Sequence, residues 1–507
     1  MNEKPHRIMY TKDWVAKWAL YSPHQPALKE LDTDRAYTYA ELNQAANHLA
    51  VELIQTYGLQ KGDRIMVLAE HCLEYVALFV AAQKTGLVLV PINYRLACGE
   101  IDYLVRNCEP ALLIYEEQFQ DKALALPGLA AVPRVWPLQT LTELCQRGLA
   151  TPQPAWAGPE PDEDDPVFIL YTSGTTGFPK GALYTHRMLL WNSLNTSLSL
   201  EITPGDVTIN CMPPFHTGGW NVLLTPFLHR GATVGLLRKF QPERILALLD
   251  QERADIFMGV PTMLRMMMES PAFATSDLGS LRYFIVGGEA LPLEVIRAWD
   301  RKGIKIRQGF GLTEVGPNLF SLHQDDAVRK IGSIGRANFY VETRLINEQG
   351  HEVGPNEVGE LCLRGPMTTP GYWRDPEATA KALPDGWFRT GDLLRRDEEG
   401  YFFVMDRIKN MYISGGENVY PAEIERFLLT FPGVSEVAVI GVPDARWGEV
   451  GKAFIVTRGL DISAEALLAY CAGNLARFKV PKYLELVAEL PKNDTGKINK
   501  KALQAAV

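Results

Sequence analysis

Apolar and polar positions alternate along the first 150 residues in two rhythms. A helical spacing leads from Thr11 or Asp13, either of which could cap it, to Leu20. Thr38 precedes a second helical run from Glu41 to about Tyr57. Lys61-Gly-Asp then opens into the strand-like Arg64-Ile-Met-Val-Leu-Ala. The most apolar stretch, Tyr75 to Ile92, is broken by Gln83, Lys84 and Gly86. It reads as a buried helix, a glycine turn and the strand Leu87-Val-Leu-Val-Pro-Ile, not as a membrane span. Strand, helix, strand in that order predicts a parallel sheet.

Residues 151–166 are rich in proline and acid and read as a surface linker between subdomains. The apolar run Val167 to Tyr171 follows, and α/β alternation continues to about residue 325. From 330 to 405, short strands punctuated by Gly350, Gly354, Gly359, Gly365, Gly371 and Gly400 predict a small β-rich unit. The last hundred residues return to mixed helix and strand, with Val437-Ala-Val-Ile-Gly-Val as a strand. No repeat of 20 to 50 residues is visible.

The length of 507 residues and a hydrophobic fraction of 47% describe a globular chain able to bury sizeable cores. The net charge of −9 leaves no footprint for nucleic acid or an anionic membrane, so an anionic substrate must meet local cations. Cysteines 72, 98, 108, 145, 211, 362 and 471 form no C-x-x-C pair. A disulfide framework and structural zinc are therefore not expected, and a reducing, cytoplasmic location is. The first residues carry no apolar signal core.

The strongest chemical signal is Tyr171-Thr-Ser-Gly-Thr-Thr-Gly-Phe-Pro-Lys-Gly181, directly after an apolar strand. Glycines let backbone N–H groups turn toward a polyphosphate, the hydroxyls add donors, and Lys180 supplies a point charge. The Walker spacing is absent. Five further segments follow: Gly287-Gly-Glu-Ala-Leu291, Gln308-Gly-Phe-Gly-Leu-Thr-Glu314, Trp387-Phe-Arg-Thr-Gly-Asp392, Asp406-Arg-Ile-Lys-Asn-Met-Tyr-Ile-Ser-Gly-Gly-Glu-Asn-Val-Tyr-Pro421 and Pro491-Lys-Asn-Asp-Thr-Gly-Lys497. With these six elements in family order and spacing, essentially the whole chain resembles the adenylate-forming (AMP-binding) superfamily of acyl-CoA synthetases, adenylation domains and beetle luciferases.

The resemblance implies an α/β fold. Residues 1–405 would form a large N-terminal adenylation domain of two α/β subdomains plus a β-barrel-like unit. Residues 406–507 would form a small mobile α+β domain carrying the catalytic lysine. It implies an acid–thiol ligase joining a fatty or aryl acid to CoA through an acyl-adenylate, with release of AMP and pyrophosphate. ATP, Mg²⁺ and CoA are the expected cofactors and co-substrates. A small carboxylic acid and CoA are the expected partners, with homodimerisation open and neither nucleic acid nor an integral membrane segment. The rival within the family loads the acyl group onto a separate carrier protein. A rival of another class is a nucleotide sensor that has lost catalysis.

By the same resemblance, ATP contacts fall on Thr172, Ser173, Gly174, Thr175, Thr176, Gly177 and Lys180. They continue on Gly288, Glu289 and Ala290, and on Gln308, Gly309, Phe310, Gly311, Leu312 and Thr313. Asp392 and Arg407 would meet the ribose, Glu314 would contact Mg²⁺, and Lys497 would bridge carboxylate and α-phosphate. Phe310 departs from the usual Tyr but keeps an aromatic face for adenine. Lys409 sits at the hinge, where Asn410 replaces a common second acid. Ser414, Gly415 and Gly416 would line the pantetheine path. In Met212-Pro-Pro-Phe-His-Thr-Gly-Gly-Trp220, amino-acid-activating relatives place an Asp where His216 stands. An ammonium buried there without a carboxylate would cost several kcal/mol, so an amino-acid substrate is disfavoured. His216 would gate an acyl pocket walled by Trp220, Asn221, Val260, Thr262, Met263 and Gly287 beside Phe310.

Overall fold

The apolar stretch after residue 72 folds as the helix Leu73–Thr85, buried along its whole length, followed by Gly86 at φ +74° and the strand Val88–Pro91. This helix is apolar all round because it is covered on every side, by the helices Tyr39–Val51 and Leu138–Ala150 and the strands Pro26–Glu30 and Val88–Pro91. Lys84, which interrupts the apolar run, donates to Asn43 Oδ1 at 2.8 Å and pairs with Asp13. The helix Trp14–Tyr21 is capped by Asp13, whose carboxylate accepts from Ala16 N at 2.9 Å. Thr38 caps Tyr39–Val51 with a full capping box to Glu41. That helix runs on into a π-helical turn, Glu52–Thr56.

The computed structural model describes residues 12–151, 155–172, 179–287, 291, 293–415, 417–458, 462–493 and 496–507. The chain packs as two units. The first comprises residues 1–331, 335–342 and 363–388; the second comprises 332–334, 343–362 and 389–507. Packing thus groups residues 389–405 with the carboxyl-terminal hundred.

The first unit holds two sheets. In one, Val135–Pro137, Leu112–Tyr115, Arg64–Leu68, Val88–Pro91 and Pro166–Thr172 run parallel in that spatial order, and Lys180–Thr185 closes the edge antiparallel. In the other, Lys305–Leu312, Tyr283–Val286, Ile256–Gly259, Val207–Asn210, Thr233–Leu236 and Pro26–Glu30 are parallel neighbours. Gly316–Ser321 folds back antiparallel on Lys305–Leu312. Apolar strand runs of this kind are expected for parallel sheets covered on both faces.

The second unit contains the antiparallel pair Phe388–Arg396 and Phe402–Arg407. It also contains a sheet ordered Glu417–Val419, Tyr412–Ser414, Gly448–Thr457, Val434–Asp444, with Tyr483–Leu486 parallel to Gly448–Thr457. The helices Pro421–Leu428, Ala464–Asn474 and Lys500–Ala505 complete it. The fold is mixed α/β with a large amino-terminal and a small carboxyl-terminal domain, in line with the expected class. Among the described residues no helix is long and apolar enough to cross a membrane.

Candidate active site

The phosphate-loop segment leaves the strand Pro166–Thr172 and re-enters at Lys180–Thr185, with Thr172 opposite Lys180 in the ladder. The tip carrying Ser173, Gly174, Thr175, Thr176 and Gly177 lies outside the described residues. At the base of this hairpin, Thr172 Oγ1 is 3.4 Å from Glu314 Oε1. The hydroxyl of Tyr372 donates to the same oxygen at 3.0 Å. Lys180 Nζ lies 5.6 Å from the centre of the Tyr372 ring. Burial and the Glu314 carboxylate hold the Tyr372 phenol well above its ordinary value, so it remains a donor. Glu314 is a hard oxygen donor with one oxygen already fixed by hydroxyls. Among the described residues no group of three or more His, Cys, Asp or Glu side chains gathers. This donor set suits a cation carried mainly by nucleotide phosphates, with a single carboxylate from the protein.

Glu314 owes its place to a tight reversal. The strand Lys305–Leu312 turns through the 3₁₀ turn Thr313–Val315 into Gly316–Ser321. A Cβ on Gly311 would lie 2.0 Å from the Pro317 carbonyl oxygen, so only glycine allows the two strands this approach. Thr369 N donates to Glu314 O at 2.7 Å and fixes the outer side of the turn. Gln308 pairs with Val286 across the parallel ladder, which brings Gly309 next to Gly287. Phe310 is half-buried, with its ring edge-to-face on Phe320 at 5.8 Å. Gly288, Glu289 and Ala290 lie outside the described residues.

In the second unit, Asp392 and Arg407 face each other across the antiparallel pair Phe388–Arg396 and Phe402–Arg407. Arg407 Nε meets Asp392 Oδ1 at 2.8 Å. Asp392 Oδ2 is buried without a hydrogen-bond partner among the described residues, an arrangement that fits a carboxylate awaiting a hydroxyl donor from a ligand. Burial raises the Asp392 pKa, against the opposing pull of Arg407, Lys409 and Lys497. The field of Lys497 therefore reaches the ribose-binding candidate. Lys497 itself is exposed, at the end of a turn closed by Asn493, whose backbone N–H donates to Lys497 O at 2.8 Å.

Burial and neighbouring Arg407 depress the Lys409 pKa. The turn that carries Lys409 is organised by Asp406, whose carboxylate accepts from Arg407 N at 2.7 Å, Asn410 Nδ2 at 3.0 Å and Ala422 N at 2.7 Å. Ser414 is buried, and Gly415 N donates to Trp447 O at 2.8 Å. Gly416 lies outside the described residues.

The acyl-pocket candidates sit in different packing surroundings, Trp220 in one core cluster and Met263 in another. Phe215 and His216 sit edge-to-face at 4.5 Å, and Phe215 packs on Tyr94 at 4.9 Å. Trp220 is fully buried among His71, Tyr75, Phe79 and Phe168, with its Nε1 donating to Pro214 O at 2.6 Å. Asn221 is equally buried, bonding Thr217 and Thr225. Met263 packs into the core with Leu264 and Met267. Val260 is half-buried at the start of the helix Pro261–Glu269, and Thr262 is exposed.

Three contributors were not singled out from the sequence: Tyr372, Asp406 as the residue that holds the turn carrying Lys409, and Tyr94 packed on Phe215. Asp406 had a usable signal, an acid opening the hinge segment and lying 16 residues before the helix amide it caps. Tyr372 had none, because its partner is 58 residues away.

The model of the AMP-binding enzyme family matches residues 15–373, and that of the AMP-binding enzyme C-terminal domain matches 423–497. The feruloyl-CoA synthase of an Amycolatopsis species is 38% identical over 495 residues, covering 96% of this chain and 97% of the relative. The long-chain-fatty-acid–CoA ligase FadD13 of Mycobacterium tuberculosis is 37% identical over 492 residues, covering 96% of each. Among solved structures, ATP-bound MatB from Rhodopseudomonas palustris superposes with a TM-score of 0.90 at 34% identity, covering 98% of this chain and 99% of that one. The phosphate-side cluster around Glu314, the Asp392–Arg407 pair and the tail lysine thus stand in a chain whose relatives are CoA ligases. The chain belongs to the AMP-binding enzyme family.

Proposed function

We propose that this enzyme is an ATP- and CoA-dependent acid–thiol ligase acting on an apolar fatty or aryl acid. The observation that carries the reading is the buried Asp392, with one oxygen on Arg407, the other without a partner among the described residues, and Lys497 within its field. A carboxylate to hold the ribose and a tail lysine to neutralise the reacting anions are what nucleotide activation needs. A carboxylate is a poor electrophile and is repelled by a triphosphate. Lys497 and Lys180 offset that repulsion while the carboxylate oxygen attacks the α-phosphorus and pyrophosphate leaves. Asp392 accepts ribose hydroxyls, Arg407 donates to them, and Phe310 stacks on adenine. Glu314 and the phosphate oxygens would hold Mg²⁺, which supplies charge neutralisation on the leaving pyrophosphate.

For the second half-reaction, residues 406–507 turn about Lys409. Lys497 withdraws, and Ser414, Gly415 and Gly416 border the path of the CoA thiol. Thiolate attack on the mixed anhydride carbonyl expels AMP and leaves the thioester. His216, in place of an ammonium-pairing Asp, supports an apolar acid. The names of the relatives, a feruloyl and a long-chain acyl ligase, support the aryl and fatty classes. All seven cysteines are free, which supports a reducing location such as the cytoplasm.

The test is pyrophosphate release across short, medium, long, aryl and dicarboxylic acids, each with and without CoA, with thioester read by chromatography. Acyl-CoA formed from an apolar acid is the expected result. Pyrophosphate release without any thioester to free CoA would redirect the reading to a carrier-protein acceptor.

A further inference from the structure

The stretch Thr369–Trp373 carries no motif, yet it is docked along the exit strand of the phosphate loop. Tyr372 bridges Ala182, Trp373 N donates to Gly181 O at 2.7 Å, and Leu183 N donates to Gly371 O at 3.1 Å. Thr369 Oγ1 donates to Leu183 O at 2.7 Å, and Thr379 Oγ1 accepts from Tyr372 N at 2.9 Å. The backbone is therefore held without the Tyr372 hydroxyl, which instead points to Glu314 Oε1 at 3.0 Å. The ring meanwhile faces the Lys180 ammonium at 5.6 Å. One side chain touches both charged groups at the base of the phosphate loop, one by its hydroxyl and the other by its π face.

We propose that Tyr372 is a positioning residue for nucleotide activation, coupling the metal-facing carboxylate of Glu314 to the phosphate-facing ammonium of Lys180. The assignment rests on the reading of those two residues as contacts of metal-bound ATP. A carboxylate whose Oε1 accepts from two hydroxyls, Tyr372 and Thr172, has lost its freedom to rotate and presents Oε2 to a cation. An ammonium over an aromatic face is drawn to it by the ring quadrupole. Tyr372 thus engages two opposite charges separately.

The experiment uses the full chain and two variants. Mn²⁺ binding in the presence of saturating ATP is read by electron paramagnetic resonance, and ATP binding in EDTA is read by calorimetry. Tyr372→Phe keeps the ring and should weaken Mn²⁺ binding about tenfold, the loss of a hydrogen bond to a charged group, with metal-free ATP binding unchanged. Tyr372→Leu should in addition weaken metal-free ATP binding about threefold. In a Glu314→Gln background, Tyr372→Phe should add nothing. Equal Mn²⁺ affinity in wild type and Tyr372→Phe, or additivity with Glu314→Gln, overturns this assignment alone. Absence of any ATP-dependent Mn²⁺ binding by the wild type overturns it together with the ligase reading beneath it. Should Tyr372→Leu fail to fold, the Phe variant and its cycle with Glu314→Gln still decide the question.

Discussion

Gly311→Ala makes the reversal at Glu314 the point of attack. The added Cβ would lie 2.0 Å from the oxygen, 2.2 Å from the carbonyl carbon and 2.6 Å from the Cα of Pro317. All three are backbone atoms, so no side chain can swing aside. Ordinary nonbonded carbons rest at about 3.5 Å, and the two strands must part by about 1.5 Å to accept a methyl group. Overpacking of that kind costs about 1–3 kcal/mol. A loss of this size lowers the melting temperature by several degrees. The effect on chemistry should be larger, because the strand opening lies between Phe310 on one side and Thr313 and Glu314 on the other. A misplacement of about 1 Å in positioning residues costs about a hundredfold. Gly205→Ala, where an added Cβ would meet nothing within 4 Å, is the control. ATP–pyrophosphate exchange with an apolar acid should therefore fall about a hundredfold in Gly311→Ala and stay near wild type in Gly205→Ala. Exchange within twofold of wild type in Gly311→Ala, or equal loss in both variants, would refute the steric argument.

Lys497→Ala should lower adenylation by about a hundredfold or more, by analogy with the loss of an oxyanion donor, and spare thioester formation from supplied acyl-adenylate. Equal losses in the two half-reactions would contradict the role given to the tail lysine. His216→Asp should depress turnover of apolar acids by placing a charge beside Phe215; an unchanged acid profile would remove His216 from the pocket. Acid stability follows from buried histidines. Burial pulls His71 and His186 down to about 3 from the ordinary 6.5. Below about 6.5 the unfolded chain takes up protons that the folded chain refuses, so stability is complete above that pH and is lost as pH falls toward about 3. The loss is about 2 kcal/mol per histidine by about pH 5. Urea midpoints should fall over that interval, less steeply in His71→Gln, and an identical slope in the variant would show that His71 takes no part.

The family was legible because its motifs are local in the chain. The Thr/Ser/Gly run after an apolar strand, the glycines before Glu314, the Gly391-Asp392 pair and the Gly496-Lys497 pair each combine residue types that a phosphate, a cation or a sugar requires at short range. The same holds for helix starts. Thr38 with Glu41, and Asp13 with Ala16, are caps written within four residues of sequence. Hydrophobic periodicity was equally readable, since burial of a face imposes its own period.

Periodicity records that a residue is buried and says nothing of its partner. Trp220 and Asn221 stand in a segment marked as pocket, yet tertiary packing gives Trp220 to an aromatic core with His71, Tyr75 and Phe168. Tyr372 carries no motif and reaches Glu314 only because an unmarked stretch docks beside Lys180–Thr185. Residues 389–405 end the β-rich stretch in sequence and pack with the carboxyl-terminal hundred. The sequence by itself determined the family, because the motifs that carry it rest on local stereochemistry. Tertiary structure alone decided which hydroxyl steadies Glu314, which aromatic residues are core and where the units divide. Those choices depend on contacts between residues far apart in the chain, and no short-range pattern encodes them.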